Sequence, residues 1–224
     1  NKFLISTKII FTKKNLNTKN LSQNYTNAIQ KKLRLFKIKK FENLFIHNFD
    51  QLDSYDLKLL EPLLVSLKKK NLVRNIGISV YETSALKKIK NFNFVSLIQA
   101  PINLFDRRFT ANNIIKFLKK KKIKLQARSI FLQGKLLDNL KKASYKKNKI
   151  YVDYNSWLSE KNRQSLKTCL DYIKSETSIN SIVIGINDIK QLEEIIKSTK
   201  NKKKIDFPSK ILTFDKKIID PRTW

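Results

Sequence analysis

Polar residues able to do chemistry stand at the ends of six short apolar runs in this sequence. The first run ends at Lys8 and the second at His47, the chain's single histidine. A lysine cation stabilises developing negative charge, and an imidazole that titrates near neutral pH can move a proton. Neighbouring strands lie about 4.8 Å apart, so we expect these two side chains to stand side by side. The later runs end at Ser79, Gln99, Arg128 and Gly185.

Six strands that alternate with helices are predicted to position these residues. The predicted strands are residues 3–7, 43–46, 73–78, 94–98, 123–127 and 181–184. The predicted helices are residues 22–36, 53–70, 82–90, 110–120, 159–176 and 188–198, and residues 138–158 are predicted to form a long loop. Alternation of this kind predicts a parallel sheet with helices outside it, whose strand ends meet at one rim.

Two α/β folds are compatible with six such units. A doubly wound sheet is one, but the glycine-rich phosphate turn of dinucleotide-binding sheets is missing. A (β/α)8 TIM barrel has eight units in about 250 residues. This chain of 224 residues matches such a barrel with its first two units cut away. No segment resembles a linker, so we predict a single domain over residues 1–224, with residues 200–224 as a C-terminal tail.

The composition narrows the class of protein. The net charge is +30, but the basic residues are mostly lysines spread along the chain. Arginine, the usual reader of base edges, is scarce, so no specific nucleic-acid function is expected. No apolar run approaches the roughly 20 residues of a membrane span. The single cysteine, Cys169, allows no internal disulfide and gives no metal-ligand spacing. A reducing cytoplasm fits these features best.

Four stretches carry a resemblance to a known family. The third strand ends in Gly77-Ile78-Ser79, and the fourth continues as Gln99-Ala100-Pro101-Ile102-Asn103. Thr7-Lys8 closes the first strand, and FIHNFDQL spans residues 45–52. Together they resemble the aldo-keto reductase family in a bacterial-type, N-terminally truncated form. The resemblance implies a (β/α)8 enzyme that passes a hydride between NADPH or NADH and a small-molecule carbonyl substrate.

The resemblance also implies catalytic roles. Lys8 would lower the pKa of a tyrosine that acts as the acid, because a cation favours the phenolate. His47 would hydrogen-bond the substrate carbonyl and orient it. The family's tyrosine, and the aspartate that pairs with the lysine, belong to a unit with no match in this sequence. We therefore expect the sequence to be a fragment that is inactive alone. We also expect poor stability, because residues 3–7 and 181–184 would be open strand edges.

Further residues match the family's cofactor positions. Ser79 and Gln99 resemble contacts to the nicotinamide amide. In the segment 127–137, Arg128 would stack on the nicotinamide through its planar guanidinium, and Ser129, Gln133 and Gly134 would line the pyrophosphate. In the segment 185–195, beginning at Gly185, Gln191 and Glu194 resemble adenosine contacts. Asn187 stands where NADP-preferring members often carry arginine, which implies that NADH is used as well as, or instead of, NADPH.

Other functions remain open from the sequence alone. A non-catalytic cofactor-binding subunit on the same fold accounts for the missing tyrosine. A basic nucleic-acid-binding protein accounts for the charge. The loop 138–158 and the tail 205–224, with Trp157 and Trp224, are candidates for a substrate pocket or for loop anchors. The oligomeric state is not predicted.

Overall fold

A computed structural model describes residues 3–137, 148–200 and 206–224 of the chain. The chain divides into two compact units. Unit 1 comprises Asn1–Gln99 with Leu118–Lys124, and unit 2 comprises Ala100–Phe117 with Leu125–Trp224. The single-domain interpretation of residues 1–224 stays a prediction.

The six predicted strands are present and parallel. They are β1 (Ser6–Ile9), β2 (Phe41–Ile46), β3 (Val73–Ser79), β4 (Val95–Pro101), β5 (Lys124–Arg128) and β6 (Ser181–Ile182). Their order in the sheet follows the chain from β1 to β6 without reversal. A doubly wound sheet reverses its strand order part-way, so that alternative is excluded. Consecutive parallel strands joined by helices are the repeat of a (β/α)8 barrel, as predicted.

The α-helices lie between these strands and after the last one in the sequence. In the first 124 residues they are α1 (Lys13–Leu16), α2 (Leu21–Leu35), α3 (Ser54–Lys69), α4 (Ala85–Lys88) and α5 (Asn112–Lys120). The later helices are α6 (Lys149–Glu160), α7 (Ser165–Ser175), α8 (Ile189–Ser198) and α9 (Lys216–Ile219). In the described residues, no helix is long and apolar enough to cross a membrane.

Helix α3 shows why the sequence folds as it does in unit 1. Its predicted inner face is confirmed, because the leucines at helical spacing are fully buried: Leu57, Leu60, Leu64 and Leu67. At its start, Asp53 and Asp56 form a capping box in which each carboxylate accepts the other's backbone N–H. Lys13 of α1 donates to both carboxylates. These contacts fix the position at which the chain leaves the loop after β2.

The prediction for the segment between β5 and β6 is wrong in two places. Residues 149–158 belong to helix α6, and the helix predicted from residue 159 instead begins at Ser165. Asn148 caps α6 by accepting the N–H of Ile150, and the chain reverses between the helices at Asn162, which has φ 45°. The rest of the predicted loop, residues 138–147, lies outside the described residues.

The aromatic residues of unit 2 form its core. Trp157 is buried, and its ring lies 6.0 Å from that of Phe207 in the tail. The tail is tied down further, because the N–H of Thr213 donates to the carbonyl of Phe105. Trp224 is partly exposed, with the Lys135 ammonium over its ring. These contacts favour the anchor interpretation for Trp157; a substrate role for Trp224 stays a prediction.

Candidate functional site

In unit 1, the strand pairing puts the predicted site residues into two neighbouring rows. Lys8 pairs with Phe45, Phe45 with Gly77, and Gly77 with Leu97. Lys8 is therefore inside β1 rather than beyond its end, and it is not opposite His47. The expectation that the two stand side by side is corrected: His47 is two residues further along, on the same face of the sheet.

The second row is polar. Ser79 pairs with Gln99, and continuing the β2–β3 register by one residue puts His47 beside Ser79. Ser79 and Gln99 are buried, whereas His47 is exposed. The backbone N–H of His47 donates to the carbonyl of Ile9, which fixes the end of β2 against β1. Three of the predicted side chains thus share one row on three adjacent strands.

A hydrogen bond joins the two rows. The Lys8 ammonium donates to the Gln99 side-chain carbonyl at 2.6 Å, although β1 and β4 have two strands between them. Across a flat sheet these strands would lie about 14 Å apart. Contact between their side chains therefore requires the four strands of unit 1 to curl. The curl brings a predicted catalytic residue to a predicted cofactor residue.

Gly77 has a packing role in this arrangement. A Cβ atom at Gly77 would lie 2.6 Å from the Phe45 ring and 3.2 Å from the Leu97 carbonyl oxygen. Real Cβ atoms do not approach so closely, so only glycine admits the ring. The Phe45 ring fills the interior directly below the polar row. The glycine of the sequence motif thus supports the site through packing.

The loop after β2 is held by a residue that the sequence analysis did not select. Asp50 accepts the backbone N–H of Tyr81 at 2.7 Å, which ties this loop to the end of β3. Lys88 of α4 donates to the backbone carbonyls of Asp50 and Leu52. The only sequence signal for Asp50 was its place in the stretch that contains His47. Its observed contacts fix the loop that begins at His47.

Unit 2 contains a cavity of about 750 Å³. All eight residues of unit 2 that the sequence analysis selected as cofactor ligands line it: Arg128, Ser129, Gln133, Gly134, Gly185, Asn187, Gln191 and Glu194. Ser165 and Leu166, at the start of α7, also line the cavity. The sequence analysis missed these two, because it placed them inside a longer helix.

One wall of the cavity has unusual backbone geometry. Four residues between 129 and 134 have positive φ: Ser129 (55°), Leu132 (48°), Gln133 (55°) and Gly134 (87°). For residues other than glycine this conformation costs roughly 1–2 kcal/mol each. Strained backbone of this kind clusters at ligand-binding sites. Within this loop the N–H groups of Leu132 and Gly134 donate to the carbonyls of Ser129 and Phe131, which holds the loop in this conformation.

Asn103 supports this wall from within unit 2. It is fully buried, and its side-chain amide donates to the carbonyl of Ser129 at 3.2 Å. Its side-chain oxygen accepts the N–H groups of Phe105 and Asp106. The backbone N–H of Ile102 donates to the carbonyl of Arg128. Ile102 and Asn103, the last two residues of the motif that begins at Gln99, therefore hold the start of the strained loop.

A second part of the cavity lining is the start of α8. Asp188 caps this helix by accepting the N–H of Gln191, and the side-chain oxygen of Gln191 accepts the N–H of Asn187. The Asp188 carboxylate thus occupies the positive end of the helix dipole. Among the described residues that line the cavity, Arg128 is the one cationic side chain and Glu194 the one carboxylate.

The thiol of unit 2 is placed for packing and not for reaction. Cys169 is buried 3.8 Å from the Tyr154 hydroxyl, which donates to the carbonyl of Leu136. Burial raises the pKa of the Cys169 thiol to about 12. A thiol with so high a pKa carries almost no nucleophilic thiolate at neutral pH.

Comparison with known proteins identifies the family. The family model for the Aldo/keto reductase family matches residues 1–215. The chain belongs to the aldo/keto reductase family. A search of curated protein sequences gives no match.

Solved structures of aldo-keto reductases share the fold. The aldo-keto reductase AKR11C1 from Bacillus halodurans superposes with a TM-score of 0.69 at 16% identity, covering 88% of this chain and 66% of that one. An aldo/keto reductase from Klebsiella pneumoniae, in complex with NADP and acetate, gives a TM-score of 0.65 at 10% identity, covering 90% and 66%. The chain thus spans slightly less than two thirds of the length of these relatives.

The predicted site residues of this family member fall into two sets. Lys8, His47, Ser79 and Gln99 belong to unit 1, where register and one hydrogen bond bring them together. The other eight belong to unit 2 and share its cavity. The individual roles assigned to these residues stay predictions.

Proposed function

We propose that this protein takes part in the NAD(P)H-dependent reduction of an aldehyde or ketone to an alcohol. One observation carries the proposal: eight residues selected from the sequence as cofactor ligands line a single cavity. They come from two segments more than 50 residues apart in sequence, 128–134 and 185–194. Membership of the aldo/keto reductase family supports the same reaction class.

The residues of the cavity fit a nicotinamide dinucleotide. Its volume of about 750 Å³ is within the range of small-molecule sites. The Ser129 hydroxyl, in the strained loop 129–134, lines the cavity and offers a hydrogen bond to a pyrophosphate. The planar Arg128 guanidinium, at the end of β5, offers a stacking surface for an aromatic ring. The amide side chains of Asn187 and Gln191 offer hydrogen bonds to the far end of the molecule.

The polar row of unit 1 is assigned to the carbonyl substrate. A bound nicotinamide cofactor supplies the hydride. His47 donates a hydrogen bond to the carbonyl oxygen and orients the carbonyl carbon. Lys8, fixed by its bond to Gln99, places a cation where negative charge develops. The resemblance assigns the proton donor to a tyrosine for which this sequence offers no match, so we assign none.

The protein should bind NADH at least as tightly as NADPH. A 2′-phosphate needs a cationic partner. In the described lining of the cavity the one cation, Arg128, lies at the end of β5, whereas helix α8 contributes a carboxylate, Glu194. No cation of this lining therefore lies on α8 for the 2′-phosphate. We expect a dissociation constant for NADH no higher than that for NADPH. The Asn187→Arg variant should bind NADPH more tightly and NADH unchanged.

The test combines cofactor binding with turnover, both measured on the purified natural protein that contains this sequence. Quenching or enhancement of cofactor fluorescence measures the dissociation constants of NADH and NADPH. Oxidation of the bound cofactor is then followed in the presence of aldehydes and ketones. Saturable binding with turnover supports the proposal, and absence of binding at millimolar cofactor contradicts it. Binding without turnover of any carbonyl compound favours the second candidate, a non-catalytic cofactor-binding subunit.

A further inference from the structure

Positive charge is concentrated at one end of unit 1. Four lysine-containing segments stand immediately before β2, β3, β4 and β5, at the end of the sheet opposite to His47, and we call them the basic end: residues 37–40, 68–70 and 119–124, with Lys90. Most of these lysines are exposed. None of the four segments contains an acidic residue.

Side-chain contacts connect neighbouring segments of the basic end. Lys40 donates to the side chain of Asn71, beside the segment 68–70. Lys121 donates to the side chain of Asn93, beside Lys90. These partners are neutral amides, so neither contact adds a negative charge to the surface. These contacts join the segments in two pairs, and the strand order places the two pairs next to each other at the start of β3 and β4.

The acidic residues of unit 1 are mainly elsewhere. Asp50, Asp53 and Asp56 follow β2, and Glu82 follows β3, so these four stand toward the end at which His47 lies. Of the other two, Glu42 in β2 is already bound to Arg74, and Glu61 is in the middle of α3. Unit 1 thus carries a lysine-rich end without acidic residues in its segments, whereas most of its carboxylates lie toward the other end, where Lys13 is paired with Asp53 and Asp56.

Helix dipoles account for only part of this polarity. A lysine in the last turn of a helix gains roughly 0.3–1 kcal/mol, and the effect falls off within that turn. The basic end continues beyond the last turns of α3 and α5, and adjacent lysines repel one another. Lys37 and Lys122 have φ values of 52° and 54°, a conformation in which glycine or asparagine costs less. Lysines at this density repel one another, and a bound polyanion reduces that repulsion.

We infer that the basic end of unit 1 binds the phosphate backbone of nucleic acid without reading its sequence. Lysine is a point charge suited to phosphates, whereas base reading relies on arginine and amide pairs. Phe36, half exposed next to Lys37, adds a ring on which an unpaired base can stack. The exposed Leu35 and Phe36 offer little apolar area for insertion into a membrane, so the surface fits a nucleic acid better than a lipid interface. The inference is independent of the proposed reductase function.

Fluorescence anisotropy of a labelled 20-nucleotide RNA of mixed sequence, with DNA of the same sequence in parallel, tests this inference. With about five phosphate contacts to a single strand, affinity should fall about 100-fold between 50 and 200 mM salt. The triple variant K39Q/K69Q/K90Q removes one exposed lysine from each of three segments. It should lower the slope of log K against log salt by about 2, and DNA should behave like RNA.

The matched control is K14Q/K19Q/K58Q. It removes the same charge from exposed lysines outside the basic end, and it should leave the slope unchanged. Equal loss in both triple variants would overturn the inference, because net charge alone would then explain binding. Absence of RNA binding at 50 mM salt, or binding to vesicles with 30% anionic lipid in its place, would also overturn it. Cofactor binding, measured alongside, should be the same in all three proteins.

Discussion

The polar row of unit 1 and the cavity of unit 2 are built by different means. In unit 1, Ser79 and Gln99 are paired residues of adjacent strands, and His47 extends the same row. In unit 2, the cavity is lined by loop residues with positive φ and by the starts of two helices. The first set follows from the alternation and register of strands. The second depends on the local backbone and on what supports it.

Because the two sets are supported differently, different kinds of substitution should damage them. The unit 1 row is supported by packing below it, chiefly the Phe45 ring over Gly77. The unit 2 wall is supported by buried hydrogen bonds from Asn103. A change of volume should therefore damage unit 1, and a loss of a buried polar group should damage unit 2.

A substitution of Lys8 should have the greatest effect, and it tests whether this residue of unit 1 acts in catalysis rather than in cofactor binding. In a protein that turns over a carbonyl substrate, Lys8→Met should lower kcat by about 10²–10⁴, the range for a charge-stabilising or acid–base group. The dissociation constant of the cofactor should change by a smaller factor, because the substitution removes a bond to Gln99, a predicted nicotinamide contact, but leaves the residues that line the cavity in place. Steady-state kinetics and a binding titration measure both quantities. Lys14→Met, at an exposed lysine of α1, is the control and should change neither.

Gly77→Ala tests the packing support of unit 1. The added Cβ would lie 2.6 Å from the Phe45 ring, and overpacking of this kind destabilises by about 1–3 kcal/mol. Urea denaturation measures the change in the free energy of unfolding. Gly185→Ala is the control, because a Cβ added there would meet no atom within 4 Å, and its stability should match the wild type. Equal stability of the two variants would contradict the packing role.

Asn103→Ala tests the polar support of unit 2. It leaves the buried N–H groups of Phe105 and Asp106 without their acceptor, at a cost of about 1–3 kcal/mol. It should also weaken cofactor binding, since the carbonyl of Ser129 loses the hydrogen bond from the Asn103 side chain. Asn187→Ala removes an amide from the cavity but not from the interior, so its stability should stay near that of the wild type. An Asn103 variant with full cofactor affinity would show that the loop holds its shape alone.

The smallest expected effect is on the tail of unit 2. The hydrogen bonds from Arg222 hold the pKa of Asp220 below its ordinary value of 3.8. A lowered pKa means that this contact stabilises the fold above the ordinary pKa and loses its effect as the pH falls through the folded value. Asp220→Asn should therefore be less stable than wild type, by about 1 kcal/mol, from pH 5 to 8. The gap should narrow below pH 4, whereas Asp206→Asn, at an exposed position, should show no gap.

The sequence predicted the framework of unit 1 well, because its signals are periodic. The buried leucines of α3 and the polar residues after the apolar runs follow from helical spacing and strand alternation. The same reasoning placed Lys8 beyond the strand although it is inside β1, since a lysine inside a strand contradicts simple alternation of apolar residues. It missed Asp50, because a carboxylate that accepts a distant backbone N–H leaves no local pattern.

Unit 2 was less predictable for a physical reason. Leu132 and Gln133 adopt a conformation that their residue types disfavour, so propensity gives no hint of it. Helix α6 was predicted as loop because a lysine- and asparagine-rich sequence directly precedes it and obscured the apolar face that packs in the core. The cavity residues were found only through their resemblance to a family motif. The periodicity of the sequence does not show that these residues line one cavity.

The central claim is that the cavity of unit 2 holds the nicotinamide cofactor. Hydrogen exchange of the backbone amides, measured by mass spectrometry with and without saturating NADH or NADPH, tests it most directly. Bound cofactor should slow exchange in residues 128–137 and 185–195, with little change in α2 of unit 1. Protection confined to other segments, or none at millimolar concentrations of either cofactor, would contradict it.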